Sequence, residues 1–252
     1  MGIINLIRRL TIEQWLAIDA EYLQPEKKID AKGIGSLVFM ALMLAIRRYY
    51  GRASFFRAVF GNGIMSWPFP NLWAYLYWSL SIFVFNFLIP ALFIWLVFHE
   101  GIRDHGFTLK GIGRYKWLYL AMFLVVMPLV LIASRFPAFI SKYPLYRGAG
   151  NSWTEFLIYE SGYGLSFVAL EFFFRGFMLF TMARYLGSYA IFVMVIPYMM
   201  IHFGKPFAET IGSIIAGTAL GTMSLRTRSI FGGVLVHVLI AWSMDILAIL
   251  AK

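Results

Sequence analysis

A chain of 252 residues that is 61% hydrophobic and only 13% charged, against about 25% charged in soluble domains, is membrane-embedded, with the bilayer rather than water as its main solvent. Its formal net charge of +10 sits in short loops between apolar runs, the distribution that anchors helices to anionic headgroups, so the bilayer is the expected partner and nucleic acid is not. The absence of cysteine excludes disulfides, thiolate zinc sites and a thiol nucleophile.

Residues 1–32 mix Ile4, Leu6, Ile7, Leu10, Trp15, Leu16 and Ile18 with Arg8, Arg9 and five acidic residues. They read as an interfacial amphipathic segment, followed by one membrane-embedded helical domain over 33–252. The opening lacks the continuous apolar stretch and small-residue cleavage site of a signal peptide. Gly33 to Ile46 is apolar for fourteen residues, short of the roughly 20 that a spanning helix needs; it either spans with help or re-enters. The basic stretch RRYYGRASFFR reads as a loop. Leu72 to Phe98 is long enough to span and has Trp and Tyr near its start as interfacial anchors.

A second basic loop, HEGIRDHGFTLKGIGRYK, precedes the span Trp117 to Ser134, and residues 135–152 form a Pro- and Gly-containing connection. Four further helices follow: Trp153 to Leu186, Tyr189 to Phe203, Phe207 to Leu225, and Ile230 to Leu250. In the third of these, Gly212, Ala216, Gly217 and Gly221 stand at helical spacing and let another helix approach closely. The expected fold is all-α: a polytopic transmembrane helix bundle of six or seven spans plus the N-terminal interfacial helix.

The acidic residues are unevenly placed. Five lie in the first 32 positions and two in the second basic loop, while Glu155, Glu160, Glu171, Glu209 and Asp245 all fall in the last hundred, with His202 and His237. An ionisable group at the bilayer centre costs about 2.5–3.5 kcal/mol on insertion scales, so these groups should face the bundle interior. Counted from the turn at Gly187, Glu171 and His202 lie about 24 and 22 Å along antiparallel helices, at one level. Asp245, Ala241 and His237 share a face of the last helix, and Glu160 lies three turns before Glu171 on one face.

Structural roles compete with chemical ones. Glu171 and Arg175 at i,i+4 can neutralise each other between helices. His202, just before the break at Pro206, can satisfy a carbonyl freed there, and Glu209 can be a favourable first-turn charge. Taken together, a glutamate, two histidines and an arginine suit water activation and stabilisation of a developing oxyanion, hence hydrolysis. Neither an HExxH nor a GxSG motif is present.

The order of LEFFFRGF, YMMIH and HVLIAWSMD across successive helices resembles the CPBP family of CAAX proteases and bacteriocin-processing enzymes, also called Abi proteins, which are glutamate-dependent intramembrane proteases. The family pattern is E-E-x-x-x-R, then F-x-x-x-H, then H-x-x-x-N or a variant, and the resemblance places the protease core at 153–250. Arg175 matches the arginine, Glu171 the second glutamate, His202 the second-motif histidine and His237 the third-motif histidine. The resemblance implies that a glutamate and the second-motif histidine activate water while the third-motif histidine and its partner stabilise the oxyanion, with no metal or other cofactor.

Two positions depart from the pattern: Leu170 stands at the first glutamate and Ala241 at the third-motif Asn. Glu209 is then an alternative base and Asp245 a substitute for the Asn. The expectation is an intramembrane endopeptidase acting on a membrane-associated peptide or protein in a bacterial or archaeal cell membrane. Glu171, His202 and His237 are its catalytic residues, with Arg175, Glu209 and Asp245 in support. The alternative is an inactive family member serving as a membrane scaffold or immunity factor. A proton-coupled transporter would show an internal repeat with broken helices, and none is seen.

Overall fold

The computed structural model describes residues 2–24, 30–64 and 66–251; residues 25–29 of the expected interfacial segment, Met1, Met65 and Lys252 lie outside the described residues. All regular structure in the described residues is helical. In chain order the helices are α1 (Ile3–Leu10), α2 (Ile12–Tyr22), α3 (Ala31–Tyr50), α4 (Ala53–Ile64), α5 (Pro70–Phe98), α6 (Lys116–Ala133), α7 (Trp153–Leu186), α8 (Tyr189–Met200), α9 (Phe207–Thr227) and α10 (Phe231–Leu250). Four of them, α5, α7, α10 and α6 with its preceding turn, are long and apolar enough to cross a membrane. α3 and α9, at 20 and 21 residues, have the length of a span, while α8 is apolar but has only 12 residues. The chain is a helical integral membrane protein.

Two boundaries differ from the sequence expectation. The fourteen-residue apolar run lies inside a 20-residue helix, because Arg47, Arg48, Tyr49 and Tyr50 continue α3 instead of opening a loop. Arg48, Tyr49 and Tyr50 are exposed, and their side chains can keep polar ends in water while the backbone stays helical. The expected basic loop shrinks to a bend at Gly51 and Arg52, after which α4 begins. A β-carbon on Gly51 would stand 2.7 Å from Ser81 Oγ, whose hydroxyl donates to Gly51 O at 2.8 Å. α5 and α7 also contain π-helical stretches, at Val84–Leu88 and Ile94–Phe98 in α5 and at Phe172–Met178 in α7, where the backbone bonds run i→i+5.

The chain forms two compact units, which are described separately. One comprises Met1–Met40, Ala91–Tyr115 and Phe172–Gly233. In it α8 and α9 form a hairpin whose close approach depends on small residues. A β-carbon at Gly217 would meet Val195 Cγ2 at 3.0 Å and Tyr198 Cδ1 at 3.1 Å, and one at Gly221 would meet Met194 Cε at 3.0 Å. Gly212, on the same stripe in the sequence, faces open space. α2 lies on α9: Trp15 Nε1 donates to Thr222 Oγ1 at 3.2 Å and Tyr22 OH to Leu225 O at 3.0 Å, while Ile18 is fully buried. α1, by contrast, leaves Ile3, Ile4, Leu6, Ile7 and Leu10 exposed, the kind of apolar row that a helix on a membrane surface gives to lipid.

The other unit comprises Ala41–Pro90, Lys116–Glu171 and Val234–Lys252. α5 and α7 run side by side within it, and Leu72, Tyr146, Tyr159, Tyr163, Phe167 and Ala241 form a buried aromatic core with Val238 and Ile249 of α10 packed against it. This core fixes α7 between α5 and α10 and so sets which of its residues face each neighbour.

Candidate active site

Two polar rungs join α7 to the antiparallel α10. At the first, His237 Nδ1 lies 2.9 Å from Glu171 Oε1, with side-chain exposures of 17% and 0%. Phe167, four residues before Glu171 and so on the same face, packs its ring on the imidazole with centroids 4.4 Å apart. An ionised carboxylate only accepts, so Nδ1 carries the proton and Nε2 the lone pair. The ring is held in one tautomer and one orientation by a hydrogen bond on its edge and an aromatic ring on its face.

At the second rung, the carboxyl groups of Glu160 and Asp245 are near neighbours, both buried, and the Tyr159 side chain lies beside Asp245. Between the rungs, Trp242 Nε1 donates to Glu160 O at 3.2 Å. Its ring covers Gly164, where a β-carbon would lie 3.2 Å from Cζ2. The faces Glu160 to Glu171 on α7 and His237 to Asp245 on α10, each legible from helical periodicity, are therefore the two sides of one seam. The Glu160–Asp245 pairing was not anticipated, although both residues were already on those faces.

Arg175, His202 and Glu209 belong to the other unit, where Tyr198 organises two of them. The Arg175 guanidinium lies 3.8 Å over the Tyr198 ring, a cation–π contact favoured by full burial. His202 packs on the same Tyr198 side chain in a T-shaped arrangement, with centroids 4.9 Å apart. Arg175 lies in the π stretch that begins at Phe172, where the angle per residue differs from that of an α-helix.

The His202 Nδ1 sits 2.9 Å from Tyr198 O. A carbonyl accepts, so this imidazole also carries its proton on Nδ1 and its lone pair on Nε2. The carbonyl freed by Pro206 is that of His202 itself, and Lys205 N and Thr210 Oγ1 take it, each at 3.1 Å. The imidazole instead caps the last turn of α8. Glu209 receives Lys205 Nζ at 2.6 Å across the start of α9, the first-turn arrangement that favours an acidic side chain. As possible metal ligands Glu171 and His237 are two, and no group of three or more His, Cys, Asp or Glu residues is assembled among the described residues.

A further polar cluster joins the loop after α5 to the last turn of α7. Arg184 clamps the Glu100 carboxylate with two bonds of 2.7 and 2.6 Å, and His105 Nε2 is 3.0 Å from it. The Arg184 hydrogen bonds hold the Glu100 carboxyl below its ordinary range, and burial pushes the His105 imidazole down, towards its neutral form.

No curated protein and no solved structure gives a significant match to the chain. Residues 152–243 match the family model described as type II CAAX prenyl endopeptidase Rce1-like, a stretch that holds Leu170, Glu171, Arg175, His202, Glu209 and His237 and stops short of Asp245. Over this C-terminal stretch, somewhat more than a third of the chain, the protein is similar to CAAX-type intramembrane endopeptidases, in agreement with the resemblance carried by LEFFFRGF, YMMIH and HVLIAWSMD.

Proposed function

We propose that the protein is an intramembrane endopeptidase that hydrolyses a peptide bond of a membrane-associated peptide or protein in a bacterial or archaeal cell membrane. The observation that carries this reading is the Glu171–His237 hydrogen bond inside the helical bundle. With its proton on Nδ1 and held by Glu171, His237 offers Nε2 to a water molecule. As the water oxygen attacks the scissile carbonyl carbon, Nε2 takes one of its protons, and the carbonyl π pair moves onto oxygen. When the tetrahedral intermediate collapses, Nε2–H returns that proton to the leaving amine. Glu171 orients the ring and stabilises the transient imidazolium, the part played by the acidic member of a hydrolytic triad.

This makes His237 the base, where the family resemblance puts a glutamate in that role. Leu170 has no carboxyl to offer, and Glu171 is already engaged as the partner of the imidazole. His202 enters the reading through the resemblance alone, and its tautomer makes it a proton acceptor rather than an oxyanion donor. A prenylated CAAX protein is the substrate class suggested by the family description. Leu170 and Ala241 favour a second reading, an inactive scaffold or immunity factor.

The deciding experiment incubates the purified protein in detergent with a pool of membrane-anchored peptides, prenylated and unprenylated, and follows new N-termini by mass spectrometry. Wild type is expected to cleave, and Glu171→Gln and His237→Ala to lose the products while keeping the wild-type melting profile. Identical product patterns in all three, or none from any, would discard the protease in favour of the scaffold.

A further inference from the structure

We infer that Asn86 is a further catalytic residue, the amide donor that hydrogen-bonds the oxygen gaining charge when the scissile carbonyl is attacked; this rests on the hydrolytic reading above. The need for such a donor follows from the tautomers. His202 and His237 both have Nδ1–H bound, to Tyr198 O and Glu171 Oε1, so neither neutral ring can donate from Nε2. The third-motif Asn position is Ala241, which has nothing to donate.

Helix register places Asn86 at the right depth. Tyr75 of α5 packs on Tyr159 of α7 with ring centroids 5.9 Å apart, and Trp78 on Tyr163 at 5.9 Å. A β-carbon on Gly162 would meet Leu76 Cδ2 at 3.3 Å and Ser79 Oγ at 3.4 Å. Both helices advance together along these contacts, so they are parallel, with partners separated by a sequence offset of 83 to 86 residues. At a common rise per residue, the same offset sets Asn86 level with Glu171 to within a residue or two. The separation between packed helix axes, about 8–10 Å, leaves an amide on one helix and a His–Glu pair beside the other within reach of a common carbonyl group.

The face is also right. Leu72, Ser79 and Ile82 form the buried stripe of α5, and Leu72 shares a core with Tyr159, Tyr163 and Phe167 of α7. Asn86 continues that stripe one turn after Ile82, is fully buried, and lies in the Val84–Leu88 π segment, which contacts α7. Neither Nδ2 nor Oδ1 of its amide has a hydrogen-bond partner among the described residues. A buried polar group of this kind costs free energy that an aliphatic side chain would not, and a transiently charged oxygen is the ligand that an amide N–H satisfies in a hydrolytic site.

The test sets activity against stability. Asn86→Leu removes the unsatisfied amide at nearly constant volume, so its Tm in detergent is expected at or above the wild-type value, while kcat falls by about 100- to 1000-fold, the range for loss of one oxyanion donor, with KM within about twofold. The pair Asn86→Ser and Asn86→Ala repeats the comparison at small volume: serine keeps a donor and is expected to be at least about tenfold faster. A leucine variant with wild-type kcat, a loss of Tm in step with activity, or equal rates for serine and alanine would overturn the assignment. Glu171→Gln, assayed alongside, separates the two levels. If it is dead while Asn86→Leu is fully active, only the role of Asn86 falls; if wild type is itself inactive, the hydrolytic reading falls and takes Asn86 with it.

Discussion

Replacing Glu171 by glutamine removes one charge while keeping the size of the side chain and an oxygen for His237 Nδ1 to reach, now 2.9 Å away. In the proposed reaction His237 becomes an imidazolium as Nε2 takes the proton of water. Its charge is then centred roughly 4 Å from the carboxylate, and at an effective dielectric of about 20 the attraction is about 4 kcal/mol. At 1.36 kcal/mol per tenfold in rate, kcat should fall about a thousandfold. The ground state contains a neutral ring, so KM should change by no more than about twofold. Single-turnover cleavage in detergent measures the chemical step, and a melting curve on the same preparation checks that the variant is folded. A folded Glu171→Gln protein with kcat within about tenfold of wild type would refute the reasoning, because the carboxylate would then not be coupled to the proton on His237.

Three further outcomes follow from contacts away from the dyad. Trp242→Phe keeps the ring over Gly164 but loses the donor to Glu160 O at 3.2 Å, so Tm should drop by an amount equivalent to about 1 kcal/mol with kcat unchanged. Gly187→Ala forces an L residue to φ 53° at the end of α7 and drives its β-carbon into the Asp19 carboxylate that accepts Ser188 N–H at 2.6 Å; a loss of about 2 kcal/mol or more is expected from thermal unfolding. The Arg184 bonds depress the Glu100 carboxyl below its ordinary value of 4.5. The depressed group adds stability that is complete above pH 4.5 and disappears as the pH falls through its lower folded value. Tm measured from pH 7 down to pH 3 should show that acid limb in wild type and a flatter one in Glu100→Gln.

Helix positions were legible because apolar runs of spanning length bounded by basic loops have few other readings in a chain of this composition. The boundary at Gly51 was not. Arg47 to Tyr50 look like loop residues by polarity, yet their flexible stems allow the helix to continue past the apolar run. The two faces that meet in the α7–α10 seam could be read from periodicity, which puts Glu160 with Glu171 and His237 with Asp245. Which faces meet is a tertiary fact. Helical arithmetic compares depths and puts Glu171 and His202 at one level; the hydrogen bond that joins Glu171 to His237 is a contact between helices that periodicity on either one does not give. Asn86 drew no attention because one amide in an aromatic run looks like an ordinary tolerated polar residue; its burial and the parallel register with α7 make it distinctive. The Arg175–Tyr198 stack was hidden for a related reason, since α-helical spacing does not foresee a π stretch.

The docking of α2 on α9 has a consequence for biosynthesis. Trp15 and Thr222, the two ends of one hydrogen bond, are separated by 207 residues. At a synthesis rate of about 5–20 residues per second, the surface that receives Trp15 emerges from the ribosome about 10–40 s after it. During that interval the indole and Ile18 have no α9 to cover them. α2 is thus secured only once α9 has been made, so a chain stalled before Thr222 would expose apolar side chains that α9 otherwise covers.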